Sequence, residues 1–230
     1  MSLAALEHSR IEVKFVGSDV VEWRLRGWLR THRAGFRTAY PQRRVNNIYF
    51  DTYDYGAFWE NLTGVSERTK IRYRWYGDSL EPGPGALELK GKRNSFGWKQ
   101  VFRVAASPYT PGCSWSSVRG RILADLPDRA KLWLEEHPLP VIINSYQRDY
   151  FVSADGRVRV TLDLHQTVRD QRFACYPNLT RVANLPGAMI LEVKCARKDR
   201  DSASSVIQGI PIRVSRHSKY VTGVRAVSEI

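Results

Sequence analysis

The chain has only three cysteines, Cys113, Cys175 and Cys195, and no Cys-x-x-Cys pair among them. That argues against a disulfide framework and against a zinc knuckle. No Gly-x-x-x-x-Gly-Lys-Ser/Thr loop occurs, which excludes a P-loop nucleotide site. His8, His32, His137, His165 and His217 show no metal-ligand spacing and are expected on the surface or in the core, with His217, beside Lys219, the one exception to weigh. No window approaches 18 uncharged apolar residues, so no membrane-spanning helix is expected. The start, "MSLAALEHSR", lacks the apolar run of a signal peptide. A reducing, cytoplasmic setting is the expectation. Repeats of 20–50 residues and low-complexity tracts are also missing.

Negative charge is scarce too. Asp and Glu total 23 against 36 Lys and Arg, a formal charge of +13. Such a surplus implies an anionic partner: nucleic acid, a phosphorylated molecule, a polyanion or an acidic membrane. Of the 36 cations, 27 are arginine, whose planar fork grips phosphate oxygens in pairs. A GC-rich coding sequence would also enrich arginine.

The cations are placed with a period. In "RTKIRYRWYGD", Lys70, Arg72 and Arg74 take every second position and Ile71, Tyr73 and Trp75 fill the gaps. In a strand, that sets three cations on one face and a bulky apolar row on the other. The same design recurs in "RIEVKFVG", "ALELKGK", "GWKQVFRV", "RVRVTLDL" and "AMILEVKC". "VNNIYFDT" and "IINSYQRDYFV" also read as strands, and "TVRDQRF" as a separate, weaker one. Helical spacing predicts a helix after Ser18, which can cap it, through Val21, Leu25, Trp28 and Leu29. "DYGAFWENLTG" predicts a short helix or turn ending at Gly64. Residues 114–136 are expected to form two helices or one kinked at Pro127, with Leu132 to Leu134 in the apolar stripe. "SASSVIQGI" and "SRHSKYVTGVRAV" look helical. The total is about eight strands, mostly antiparallel, with flanking helices.

A polar face on a half-buried sheet needs no function. Here, however, the face is repeatedly basic, and like charges on neighbouring strands repel unless an anion lies between them. The other reading is a closed or strongly curved sheet with its charged faces inward, roomy enough for side chains and one small ligand. Periodicity leaves both readings open.

The motifs "EVKF", "NNIYFDT", "RTKIRYRWYG", "LELKGK", "YQRDYF", "VRVTLD", "ILEVK" and "SKY" occur in this order. The set resembles the VTC domain, the catalytic domain of the vacuolar transporter chaperone family, within the triphosphate tunnel metalloenzymes that include the CYTH phosphatases. The resemblance runs from Arg10 to Val224. It implies an α+β fold: an antiparallel eight-stranded β-barrel, the triphosphate tunnel fold, with helices packed outside, over 1–230 as a single domain. It also implies a metal-dependent polyphosphate polymerase, a transferase that moves the γ-phosphoryl group of ATP onto a growing polyphosphate chain with a divalent ion, Mn2+ or Mg2+.

By that resemblance Lys14, Arg72, Arg74, Lys90, Lys99, Arg148, Arg159 and Lys219 match phosphate-binding cations, with Arg72, Arg74, Lys90 and Lys219 expected at the chemistry. Glu192 matches the metal-binding glutamate. Glu12, Glu88 and Asp163 would either assist the metal or form internal ion pairs. CYTH phosphatases begin with Glu-x-Glu-x-Lys; Arg10 stands where the first acid would be, which favours the VTC branch. A triphosphatase of the same fold and a non-catalytic polyanion-binding module remain alternatives. The expected partners are ATP or triphosphate and polyphosphate, with no sequence-specific nucleic acid; coupling to transport would need a membrane-protein partner. The basic helix from Trp23 to Arg33 could touch RNA or an anionic membrane, or simply cover the barrel. Tyr53, Trp59 and Trp98 are expected to pack rather than stack on bases.

Overall fold

Alternation of apolar and charged residues builds eight strands, and helical spacing builds six α-helices around them. The structure is a computed structural model that describes residues 10–18, 21–93, 96–183, 185 and 187–228. His8 lies outside them. In chain order the elements are β1 (Arg10–Ser18), α1 (Glu22–Thr31), β2 (Arg37–Asp51), α2 (Gly56–Thr63), β3 (Glu67–Tyr76), β4 (Gly85–Arg93), β5 (Phe96–Val104), α3 (Trp115–Ala124), α4 (Asp128–Glu136), β6 (Leu139–Val152), β7 (Val158–Asp170), β8 (Ala188–Ala196), α5 (Arg200–Gln208) and α6 (Lys219–Ser228). The strands form one sheet in the order β1-β8-β7-β6-β2-β3-β4-β5. Neighbouring strands pair antiparallel, as expected. No described helix is long and apolar enough to cross a membrane.

The chain divides into two compact units. The first comprises Met1–Arg43, Tyr146–Gln166 and Pro186–His217. Its core takes Phe15 of β1, Val158, Val160, Leu162 and Leu164 of β7, and Met189, Leu191 and Val193 of β8. Leu25 and Leu29 of α1 and Ala203 and Val206 of α5 close over them. Each large aliphatic side chain buried this way contributes about 1.5–3 kcal/mol, so the 25/29 spacing is that of a covering helix. Val21, not Ser18, occupies the N-cap position of α1 and makes no side-chain cap; Ser18 is the last residue of β1.

The second unit comprises Arg44–Ser145, Thr167–Leu185 and Ser218–Ile230. The apolar faces of β2 to β5 (Ile48, Phe50, Ile71, Tyr73, Trp75, Leu87, Leu89, Phe102 and Val104) pack on Val118 and Ile122 of α3 and on Ala130 and Leu134 of α4. Pro127 stands at the N-cap position of α4, so the segment forms two helices. Leu132 departs from the expected stripe and is 61% exposed. A second cluster sets Phe58 of α2 and Tyr220 and Val224 of α6 on Tyr49, Ile142 and Val168. Gly64 ends α2 at φ 76, the left-handed conformation glycine adopts freely.

Two strands are longer than the sequence suggests. β2 begins at Arg37 rather than Val45, and residues 37–43 are all exposed, so they carry no alternation to read. "TVRDQRF" is not a separate strand. Its first four residues complete β7, beyond His165, whose φ of 51 interrupts the extended backbone.

The antiparallel pairing of β3 with β4 requires a bare backbone at one point. A Cβ on Gly85 would lie 2.2 Å from the Arg74 carbonyl oxygen, whereas one on Gly83 would meet nothing within 4 Å. Gly85→Ala is therefore expected to destabilise by about 1–3 kcal/mol and Gly83→Ala to be nearly neutral. Urea unfolding of the two variants compares them directly, and equal midpoints would contradict this packing.

Candidate phosphate-binding site

In the second unit, strand register stacks the basic residues into rows. Lys70 of β3 lies directly opposite Lys90 of β4, and Lys90 opposite Lys99 of β5. The adjoining row reads Tyr49, Arg72, Glu88 and Val101 from β2 to β5, and the next begins with Asn47 and Arg74. Like charges directly opposed on neighbouring strands destabilise a sheet. Glu88 relieves part of this repulsion. It is 5% exposed and sits among Arg72 and Arg74, each 8% exposed. Arg72 donates to Glu88 Oε2 from Nε at 2.8 Å and from Nη2 at 2.5 Å. Lys99 Nζ donates to Oε1 at 2.8 Å, and Arg74 Nη1 lies 3.6 Å from that oxygen.

Neutral acceptors orient the arginines further. Arg74 Nε donates to Asn47 Oδ1 at 2.8 Å, and Arg72 Nη1 donates to the Tyr49 hydroxyl at 3.2 Å. Lys70 Nζ donates to Ser218 Oγ at 2.9 Å, just before α6. Burial alone would raise the Glu88 carboxyl, but Arg72, Arg74 and Lys99 outweigh it and hold the group well below the ordinary carboxylate range. Burial pushes the Lys99 ammonium down, and Arg72 and Arg74 add to this against the pull of Glu88.

The first unit holds a second charged cluster. Arg148 of β6 grips the fully buried Asp163 of β7 with two parallel bonds, Nε to Oδ1 at 2.5 Å and Nη2 to Oδ2 at 2.7 Å. Its Nη2 is 3.9 Å from Glu192 Oε2. On β1 and β8, acids and lysines alternate across the register: Glu12 faces Lys194, and Lys14 faces Glu192. Lys194 Nζ lies 2.5 Å from Glu192 and 3.7 Å from Glu12, and Lys14 Nζ lies 3.1 Å from Glu12 and 3.6 Å from Glu192. Burial and the neighbouring Glu192 push the Glu12 carboxyl up, but Lys194 and Lys14 prevail and leave it lowered. Thr161, opposite Glu192 on β7, has a buried hydroxyl with no hydrogen-bond partner. Glu12, Glu192 and that hydroxyl are all oxygen donors, the type a hard divalent cation takes.

The VTC domain profile matches residues 9–228. The chain belongs to the VTC domain family. Two solved structures share its fold. One, from Hippeastrum, was assigned as an adenylyl cyclase and is described as having a dominant triphosphatase activity; it is 15% identical, with 95% of this chain and 96% of that chain covered and a TM-score of 0.55. The other, an assigned adenylate cyclase from Vibrio parahaemolyticus, is 11% identical, with 93% and 96% covered and a TM-score of 0.50. At such identities the likeness shows the fold alone, the triphosphate tunnel fold. No curated protein matches the sequence significantly.

In this VTC domain, Arg72, Arg74 and Lys99 meet at Glu88, Lys90 joins them by register, and Lys219 opens α6 beside Ser218. In the first unit Lys14, Arg148, Glu12 and Glu192 come together. Arg159 lies opposite Lys194 and lines a cavity of about 360 Å³ with Arg157, Lys194 and Lys198. Glu12, Glu88 and Asp163 all make the ion pairs weighed for them. Among the described residues, no group of three or more His, Cys, Asp or Glu could hold a metal ion. His217 contributes its backbone carbonyl, which accepts from Lys14 Nζ at 3.4 Å. Trp98 packs against Trp133 and Trp59 against Phe58, but Trp98 (38%), Trp59 (52%) and Tyr53 (78%) are all exposed, so none is a core residue.

Asn47, Tyr49 and Ser218, the neutral groups that orient these cations, carry no charge signal in the sequence. Asn47 and Tyr49 were findable, since they are two residues apart on one face of β2.

The linkage for Glu88 has a definite sign. Its folded pKa lies below the ordinary 4.5, so its stabilisation is fully present above about that pH and is lost as pH falls through the depressed folded value. Glu88→Gln, which strands three cations, is expected to cost about 3–5 kcal/mol at pH 7. The difference from wild type should narrow towards pH 3 in urea titrations. An unchanged difference at both pH values would refute the pairing.

Proposed function

We propose that the chain, acting as one domain over 1–230, is a metal-dependent polyphosphate polymerase that moves the γ-phosphoryl group of ATP onto a growing polyphosphate chain. The observation that carries this reading is the opposed row Lys70, Lys90 and Lys99 beside an arginine pair sharing one carboxylate. Such a row is stabilised when an anion lies along it. A triphosphate carries about four negative charges near neutral pH, enough to engage several cations at once. Many acids here would repel it; one acid organises the cations and leaves the face strongly positive.

Phosphoryl transfer demands mostly positioning and charge neutralisation. In this reading Arg72 and Arg74 grip phosphate oxygens in pairs, and Lys90, Lys99 and Lys219 neutralise the charge spreading onto the transferred group. Lys14, Arg148 and Arg159 hold further phosphates. Glu192, with Glu12 and the Thr161 hydroxyl, fits a Mn2+ or Mg2+ ion that takes its remaining ligands from phosphate and water; Glu88, engaged with three cations, fits one less well. The ion would supply Lewis-acid neutralisation of phosphate oxygens. Lys14 and Lys194, now paired with these carboxylates, would turn to phosphate.

VTC membership and the missing first acid of the CYTH signature favour polymerase over hydrolase. The triphosphatase reading is supported by the activity described for the Hippeastrum relative.

The test is to incubate the purified protein with ATP and Mn2+ and resolve the products on a gel stained for polyphosphate. A ladder is expected, lost with a chelator and reduced at least about 10²-fold by Arg74→Ala or Glu192→Ala in chains that still fold. Free phosphate without a ladder would make the protein a triphosphatase. Salt-sensitive binding without turnover would leave a polyanion-binding module.

A further inference from the structure

We infer that Tyr220, anchored by Asp51, is a positioning residue that sets the phosphate-binding cations of the second unit. This rests on the phosphate-binding reading of Lys70, Arg72 and Lys219.

Asp51, the last residue of β2, is fully buried. Its oxygens accept from the backbone N–H groups of Thr52 at 2.8 Å, Ala57 at 2.8 Å and Phe58 at 2.9 Å. Ala57 and Phe58 are in the first turn of α2, whose N-cap residue Tyr55 makes no side-chain cap. Asp51 therefore caps α2 from outside the helix, a role suited to a carboxylate at the positive end of a helix. Oδ2 of the same carboxylate accepts from the Tyr220 hydroxyl, so one side chain ties α2 to the first turn of α6. Burial, reinforced by Asp51, raises the Tyr220 phenol and keeps it a donor.

Tyr220 reaches the cations by two routes. Its ring stacks on Tyr49 at 5.0 Å between centroids and 18° between planes. The Tyr49 hydroxyl accepts from Arg72, whose guanidinium lies 5.9 Å from the centre of the Tyr49 ring. Along the chain, Lys219 is adjacent, and Ser218 both accepts from Lys70 Nζ and receives the Val221 N–H at 3.3 Å. Shifting the first turn of α6 would move Lys219 directly, Lys70 through Ser218 and Arg72 through Tyr49. A buried tyrosine hydroxyl needs a partner in any case; what marks Tyr220 is that its partner also caps α2 and that its ring stacks on the tyrosine that accepts from Arg72.

A double-mutant cycle separates positioning from packing. The probe is inorganic tripolyphosphate, titrated calorimetrically at fixed ionic strength into wild type, Tyr220→Phe, Lys219→Ala and the double variant. Tyr220→Phe keeps the ring stack and removes only the hydroxyl. It is expected to weaken binding about tenfold in wild type and by a smaller factor once Lys219 is gone, the remainder being carried through Lys70 and Arg72. The same factor in both backgrounds, or no effect in either, would overturn the inference. Arg74→Ala tests the underlying reading separately. If wild type fails to bind, or Arg74→Ala binds as well as wild type, the phosphate site itself is wrong and the inference falls with it. Should Tyr220→Phe not fold, Tyr49→Phe paired with Arg72→Ala probes the same relay, and strict additivity there would overturn it.

Discussion

A single buried carboxylate offsets much of the repulsion among the cations on the basic strands of the second unit. Glu88 accepts from Arg72 and Lys99 and lies within ion-pair distance of Arg74. Without it, β3 and β5 would bring three cations together in a setting of low dielectric, where repulsion is strong. With it, two of those cations remain nearly buried and fixed in direction. Such preorganisation favours the binding of an anion, because ordering flexible side chains during binding costs affinity. The apolar faces of the same strands contribute independently: Ile71, Tyr73 and Trp75 anchor β3 in the core formed with α3 and α4.

The first unit meets the same electrostatic problem with a different arrangement. Arg148 and Asp163 form a bidentate pair, and Glu12, Lys194, Glu192 and Lys14 alternate across β1 and β8. The lysine-carboxylate links range from 2.5 to 3.7 Å, and each carboxylate is shared by both lysines.

Much of this was legible in the chain itself. Period-two spacing in "RTKIRYRWYG" sets Lys70, Arg72 and Arg74 on one face, because successive strand side chains point opposite ways. Gly64 was readable as the end of α2, and Pro127 as a break between helices, each from its own backbone preference. The N-terminal half of β2 was not legible, since residues 37–43 are exposed on both faces and leave no pattern. Nor was the continuity of β7 through His165, where one residue adopts a conformation its neighbours do not signal. The exposure of Tyr53 and Leu132 depends on what covers them, which no local pattern contains.

The sequence by itself determined the strand faces, the excess of cations and the motif order that marks a VTC domain. These depend on alternation along a single segment, which survives in the linear chain. Only tertiary structure decided which cations share a carboxylate. Arg72 and Glu88 are 16 residues apart, and Asp51 and Tyr220 are 169 apart. Contacts over such separations follow from strand register and helix packing, and those are set by the balance of the whole core rather than by any one segment.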